Sequence, residues 1–226
     1  MPNRIRLEQQ EIESNLREFV LGGSQNQGLQ PCERYASFDY CFNYFQDFAD
    51  SQKTSLIAAP EHNQNSCLQL AFYLASWGML RGSSALLQKS VKFYEPLIQY
   101  IASAPEELWK IDANTYIPKN IQLLLTCKRN ICLALHPCGA TDTLATKIML
   151  GVFGNVPAFD SFFKYGFGVS TFGKLALERI RDFYLDHADT IDQNRIQTID
   201  FATGKHTQRL YTRAKMIDMI FFIRGS

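Results

Sequence analysis

The residues best placed to do chemistry lie between Cys138 and Asp160. They are the turn glycine Gly139, the hydroxyls of Thr141 and Thr143, the Lys147 amine and the Asp160 carboxylate. Around them the pattern reads as helix, turn, helix. A long helix is stopped at His136-Pro137-Cys138-Gly139, a second runs over 142–153, and Phe153-Gly154 ends it. The stretch Val156-Pro157-Ala158-Phe159 then delivers Asp160 at the start of another helix. Backbone N–H groups at the start of the second helix can hold a phosphate oxygen without a cationic side chain. The turn is therefore a helix-hairpin-helix suited to a DNA backbone.

The same segment resembles the helix-hairpin-helix DNA glycosylases. That family carries L-P-G-V-G-x-K-T-A, an apolar helix ending in F-G, and then V-P-x-x-V-D. Gly139 falls on the first hairpin glycine and Thr141 on the second, a departure from the pattern. Ala145 falls on the alanine that packs the two helices, and Phe153-Gly154 match. Asp160 falls on the family's aspartate with one residue deleted before it, and Thr143 falls where bifunctional members carry a Schiff-base lysine. Upstream, Leu70–Trp77 is similar to the apolar helix that approaches the flipped base, without its glutamine. The cysteine-rich iron–sulfur loop of some members is missing.

The resemblance implies a mechanism. The target nucleotide leaves the stack at a cost of a few kcal/mol. Tyr73, Trp77, Met79, Arg81 and Phe159 are the candidates for the base pocket or the wedge that fills the gap. Asp160 stabilises an oxocarbenium-like sugar while water attacks the anomeric carbon. Gly139, Thr141, Thr143, Lys147 and Lys164 line the DNA. With Thr143 in place of lysine, the enzyme is expected to be monofunctional, leaving an abasic site in double-stranded DNA, with no cofactor and no metal. The departures from the motif point to a divergent member, whose substrates extend at family level to the modified cytosines of phage genomes and hence to antiviral defence.

Each of these residues also has a plainer reading. Asp160 after an extended stretch is commonly a helix N-cap, and Gly139 a helix C-cap. Tyr73 and Trp77, four apart on an apolar helix, suit a core. Arg81-Gly82-Ser83-Ser84 reads as a helix break with a new cap at Ser83 or Ser84, or as an anion contact. Lys147 and Lys164 read as solvated surface, and the basic run Arg209, Arg213, Lys215 and Arg224 with Lys205 reads as a solvated helical face or, more sharply, as a DNA-backbone contact. A non-catalytic helical module that binds DNA or protein is the competing function. A helical ribonuclease lacks support, since no R-x-x-x-x-H occurs.

The elements that must position these residues are helical nearly throughout. Apolar periodicity predicts helices over 5–20, 38–48, 67–80, 84–102 with a kink at Pro96, 105–110, 117–135, 142–153, 157–165, 171–187, 189–200 and 206–223. Polar loops are predicted over 24–31 and 52–65, a turn at Gly204, and only 197–202 reads weakly as strand. The expected class is all-α, with two helical lobes and a cleft between them. One lobe covers 67–159 and ends in the hairpin; the other combines 1–66 with 160–226.

The 226 residues suffice for one such domain, and 46% hydrophobic with 20% charged is an ordinary globular composition. A net charge of +1 argues against non-specific coating of nucleic acid, but leaves room for a local basic face. The 17 Phe and 10 Tyr serve equally for core packing or base stacking. Neither a signal peptide nor a membrane span is read, so a cytoplasmic monomer is expected, its six cysteines free and mostly buried.

Overall fold

The computed structural model describes residues 5–22, 28–82 and 84–226. The Met1–Arg4 start, Gly23, residues 24–27 of the first polar loop and the Ser83 cap lie outside these.

The described residues are mostly helical. The chain runs through α1 (Gln9–Leu21), α2 (Ala36–Asp50), α3 (Pro60–Ser76), α4 (Glu95–Ala102), α5 (Pro118–Ala134), α6 (Asp142–Phe153), α7 (Ser161–Phe167), α8 (Lys174–Asp186) and α9 (Ala188–Gln193). A hairpin of β1 (Gln197–Ile199) and β2 (His206–Leu210) follows, and α10 (Arg213–Arg224) closes the chain. Among the described residues no helix is long and apolar enough to cross a membrane.

Two helices are buried all round. Every residue from Leu144 to Phe153 in α6, and from Ala214 to Phe222 in α10, is buried. Such helices form the centre of a fold, while helices with one apolar stripe pack around them. The surrounding helices follow that rule. Helix α1 buries Ile12, Leu16 and Phe19, at helical spacing, and packs on α10. Helix α2 packs on α3 and α6, and α7 packs on α10. Among the described residues the buried apolar side chains form a single cluster that draws on both 67–159 and the remainder of the chain. At the α3–α6 contact a Cβ on Gly151 would lie 2.4 Å from the Tyr73 ring, so only glycine allows this approach.

Several elements differ from their sequence expectation. The 52–65 loop holds a 3-10 turn, Thr54–Ala58, and the first residues of α3, because Pro60 at the first helical position loses no hydrogen bond. The 84–102 helix resolves into two 3-10 turns and α4. Pro96 sits in the first turn of α4 and does not kink it. Ser84 caps the first of those turns, its Oγ accepting from Leu86 N–H at 3.3 Å. The expected helices 189–200 and 206–223 shorten to α9 and α10, because β1 pairs antiparallel with β2 (Gln197 opposite Leu210, Ile199 opposite His206).

Candidate functional site

Helices α5 and α6 pack on each other through a tight turn. Gly139 takes φ 70°, a left-handed conformation that costs glycine little. Thr141 caps α6, its hydroxyl oxygen accepting from Leu144 N–H at 3.2 Å. Gly139 and Thr141 are exposed. The first residue of α6 is acidic: Asp142 pairs with Lys128 and accepts the Phe172 N–H at 2.7 Å. A carboxylate thus already lies at the positive end of α6, the end that the sequence assigned to a DNA phosphate.

The loop from Val156 to Asp160 is buried, and three side chains hold it. Thr143 donates to the Phe159 carbonyl at 2.8 Å, Thr146 accepts the Phe159 N–H at 2.8 Å, and Asp218 of α10 accepts the Ala158 N–H at 2.9 Å. The loop therefore delivers Asp160 at a fixed point. One Asp160 oxygen accepts the Phe163 N–H at 3.0 Å and caps α7; the other lies 3.3 Å from Lys147 Nζ.

Lys147 is a correction to the expected solvated lysine: it is 5% exposed and Asp160 9%. Its amine also donates to the Trp77 carbonyl at 2.9 Å. Burial holds the Lys147 ammonium below its ordinary pKa, and the negative charge of Asp160 opposes that shift. A second buried pair stands beside the first. Lys215 Nζ lies 2.9 Å from Asp218, and the two residues are 2% and 6% exposed. Burial raises the Asp218 carboxyl against the pull of Lys215, and the Asp160 charge raises it further. The Lys215 ammonium lies 4.7 Å from the Phe38 ring centroid, 4.9 Å from that of Phe19 and 5.3 Å from that of Trp77.

Trp77 joins the two pairs. Its ring stacks on Tyr35 at 5.3 Å and also lies within 5.6 Å of Lys147 and 5.5 Å of the Arg34 guanidinium. Its indole N–H is buried without a hydrogen-bond acceptor among the described residues. The structure thus gathers Asp160, Lys147 and Trp77, which the sequence nominated, with Lys215 and Asp218, which it did not. The signal for the last two was an i,i+3 charge pair inside the apolar run Ala214–Ile223.

The other nominated residues stand elsewhere. Tyr73 and Phe159 are 2% and 0% exposed. Tyr73 packs under Gly151 and edge-on to Phe38, and Phe159 packs on Phe163 and Phe172, so in this conformation neither has a face free for a base. Met79 closes the end of α3, its N–H donating to the Leu74 carbonyl at 2.8 Å. Arg81 is exposed and its guanidinium lies over Gly78. Half-buried Lys164 sits on α7; against burial, which raises it, the Asp142 carboxyl is held below its ordinary value by Lys128 and the Phe172 N–H, with a smaller share from the Lys164 charge.

The basic run is also corrected. Arg209 pairs with Asp47 and Asp50 from β2, Arg213 with Asp192 and Asp112, and Lys215 is in the core, so they do not share one solvated helical face.

Comparison of the chain with protein-family models, curated proteins and solved structures found no match.

Proposed function

We propose that this chain is a monofunctional DNA glycosylase that takes a damaged or modified base out of double-stranded DNA and hydrolyses its N-glycosidic bond. The observation that carries the reading is the delivery of Asp160. A hairpin of two helices leads into a rigid buried loop, and the carboxylate emerges from it beside a lysine, at the edge of an aromatic cluster. In this role Asp160 stabilises positive charge on the sugar as the base departs, and water attacks the anomeric carbon. Trp77 and Arg81, at the end of α3, flank the displaced nucleotide. The lobes 67–159 and 1–66 with 160–226 border the cleft that admits it. Modified cytosines of the phage type fall within the substrate class of this reading.

The test is incubation of the protein with duplexes carrying assorted modified bases, followed by alkali to reveal abasic sites. Base release by the wild type should fall about a hundredfold or more in Asp160→Asn. Because Thr143 occupies the lysine position and is spent on the Phe159 carbonyl, borohydride should trap no protein–DNA adduct. A trapped adduct lost in Lys147→Met would assign the amine chemistry to Lys147 and overturn the monofunctional reading.

One observation favours the non-catalytic module: how closed the pair is. Asp160 caps α7 and faces Lys147 with little surface left, as a purely structural carboxylate does. Release of no base from any duplex, by wild type and Asp160→Asn alike, decides for the module.

A further inference from the structure

The outward face of α3 is apolar and uncovered over its C-terminal half. Leu68 and Phe72, one turn apart, remain 45% and 69% exposed. Across from them Phe201 of the β1–β2 turn is 78% exposed and meets the Tyr40 ring edge-on at 5.1 Å. Between these rings, over the segment that leads into α2, lies a cavity of about 530 Å³. That is within the roughly 300–1,000 Å³ typical of small-ligand sites.

The polar groups of this cavity divide into spent and unspent. Ser37 donates its hydroxyl to the Arg34 carbonyl at 2.7 Å, and Tyr40 donates to the Pro31 carbonyl at 2.7 Å. The guanidinium of Arg34 is held by stacking, 5.2 Å from the Tyr35 ring centroid and 5.5 Å from that of Trp77. Among the described residues no carboxylate forms an ion pair with it. Glu33 and Gln69 also line the cavity. A site of this kind asks for a ligand with a flat apolar face, an anionic group and a hydrogen-bonding edge. A lipid chain has nothing for Glu33 or Gln69, whereas a nucleotide has all three features. The position agrees: Ser76 lines the cavity, and the next residue, Trp77, holds Lys147 through its carbonyl.

We propose that this cavity binds one unstacked nucleotide of a nucleic-acid strand, its base against Phe72 and Phe201, its phosphate on Arg34 and its base edge read by Glu33 and Gln69. The inference rests on the nucleic-acid partner proposed above and not on the chemistry of Asp160. Aromatic faces bind bases of any sequence, and a planar guanidinium suits phosphate.

The test is fluorescence anisotropy of a labelled single-stranded octanucleotide with the full-length protein. Phe72→Ala and Phe201→Ala should each weaken binding about five- to a hundredfold. Both side chains are exposed, so melting curves should match the wild type. Arg34→Gln should weaken binding evenly across sequences and lower the slope of log affinity against log salt by about one. Glu33→Gln should change the ranking of homopolymers. If no base is ever released while Phe72→Ala and Phe201→Ala still weaken binding, only the catalytic reading fails. Three results overturn the inference: unchanged affinity in all of these variants, free nucleoside monophosphates that outcompete the strand, or a dimer that Phe72→Ala and Phe201→Ala dissolve, which would make a second copy of the chain the occupant.

Discussion

Asp160 and Lys147 show how one pair of residues carries both stability and the proposed chemistry. Removing one member of a buried ion pair leaves the other uncompensated, at a typical cost of about 3–5 kcal/mol, whereas replacing both with apolar groups is often neutral. Asp160→Asn should therefore lower stability as well as activity, and the two losses must be separated. Lys147→Met alone should destabilise by a similar amount. The double variant should recover most of the stability and none of the base release. Urea denaturation of the four proteins in a double-mutant cycle, alongside the abasic-site assay, checks this. Recovery of activity with stability would reduce Asp160 to a cap. The sequence named Asp160 because its distance from Gly139 suited the motif. It misplaced Lys147 because one lysine between Thr146 and Ile148 carries no mark of burial. Only the packing of α2, α3 and α5 on α6, with the Trp77 carbonyl and Asp160 facing the amine, removes it from water.

At the scale of elements, Asp39 ties α2 to the β1–β2 hairpin and to the strand exit. Its carboxylate accepts the Ile199 N–H at 2.7 Å and the Tyr211 hydroxyl. Burial pushes the Asp39 carboxyl up to about 7 from an ordinary 3.8, against those two donors and the nearby Lys215 charge. Between these values the folded chain holds a proton that the unfolded chain has released. The contribution of this group is therefore fully present below pH 3.8 and is lost as the pH rises through about 7. Asp39→Asn keeps an acceptor and has no titration. Its stability relative to wild type should grow as the pH is raised from 4.5 to 7.5, as read from urea midpoints; a constant difference would contradict the assignment. The hairpin itself was barely legible. β1 is three residues long, and β2 alternates exposed and half-buried residues that continue into the α10 pattern. Strand pairing depends on cross-strand neighbours, which the periodicity of one short segment does not report. The ends of α6 were legible, by contrast, because Thr141 and Gly154 are local caps.

For the molecule as a whole, the single apolar cluster predicts one cooperative unfolding transition. Far-UV circular dichroism and tryptophan fluorescence should give coincident midpoints, and two separated transitions would reveal independently stable lobes. With a net charge of +1, any nucleic-acid affinity must come from local groups such as Arg34 and Arg81. The mostly helical character, the turn between α5 and α6 and the loop that leads to Asp160 were set by the sequence itself, because capping, apolar spacing and proline placement act within one or two turns of chain. Tertiary structure alone decided that Lys147 and Lys215 are buried beside Asp160 and Asp218, that Tyr73 and Phe159 face the core, and that Phe72 and Phe201 stay exposed around a cavity. Burial depends on which distant segments cover a face, and the same residue types serve equally for core or surface until that packing is formed.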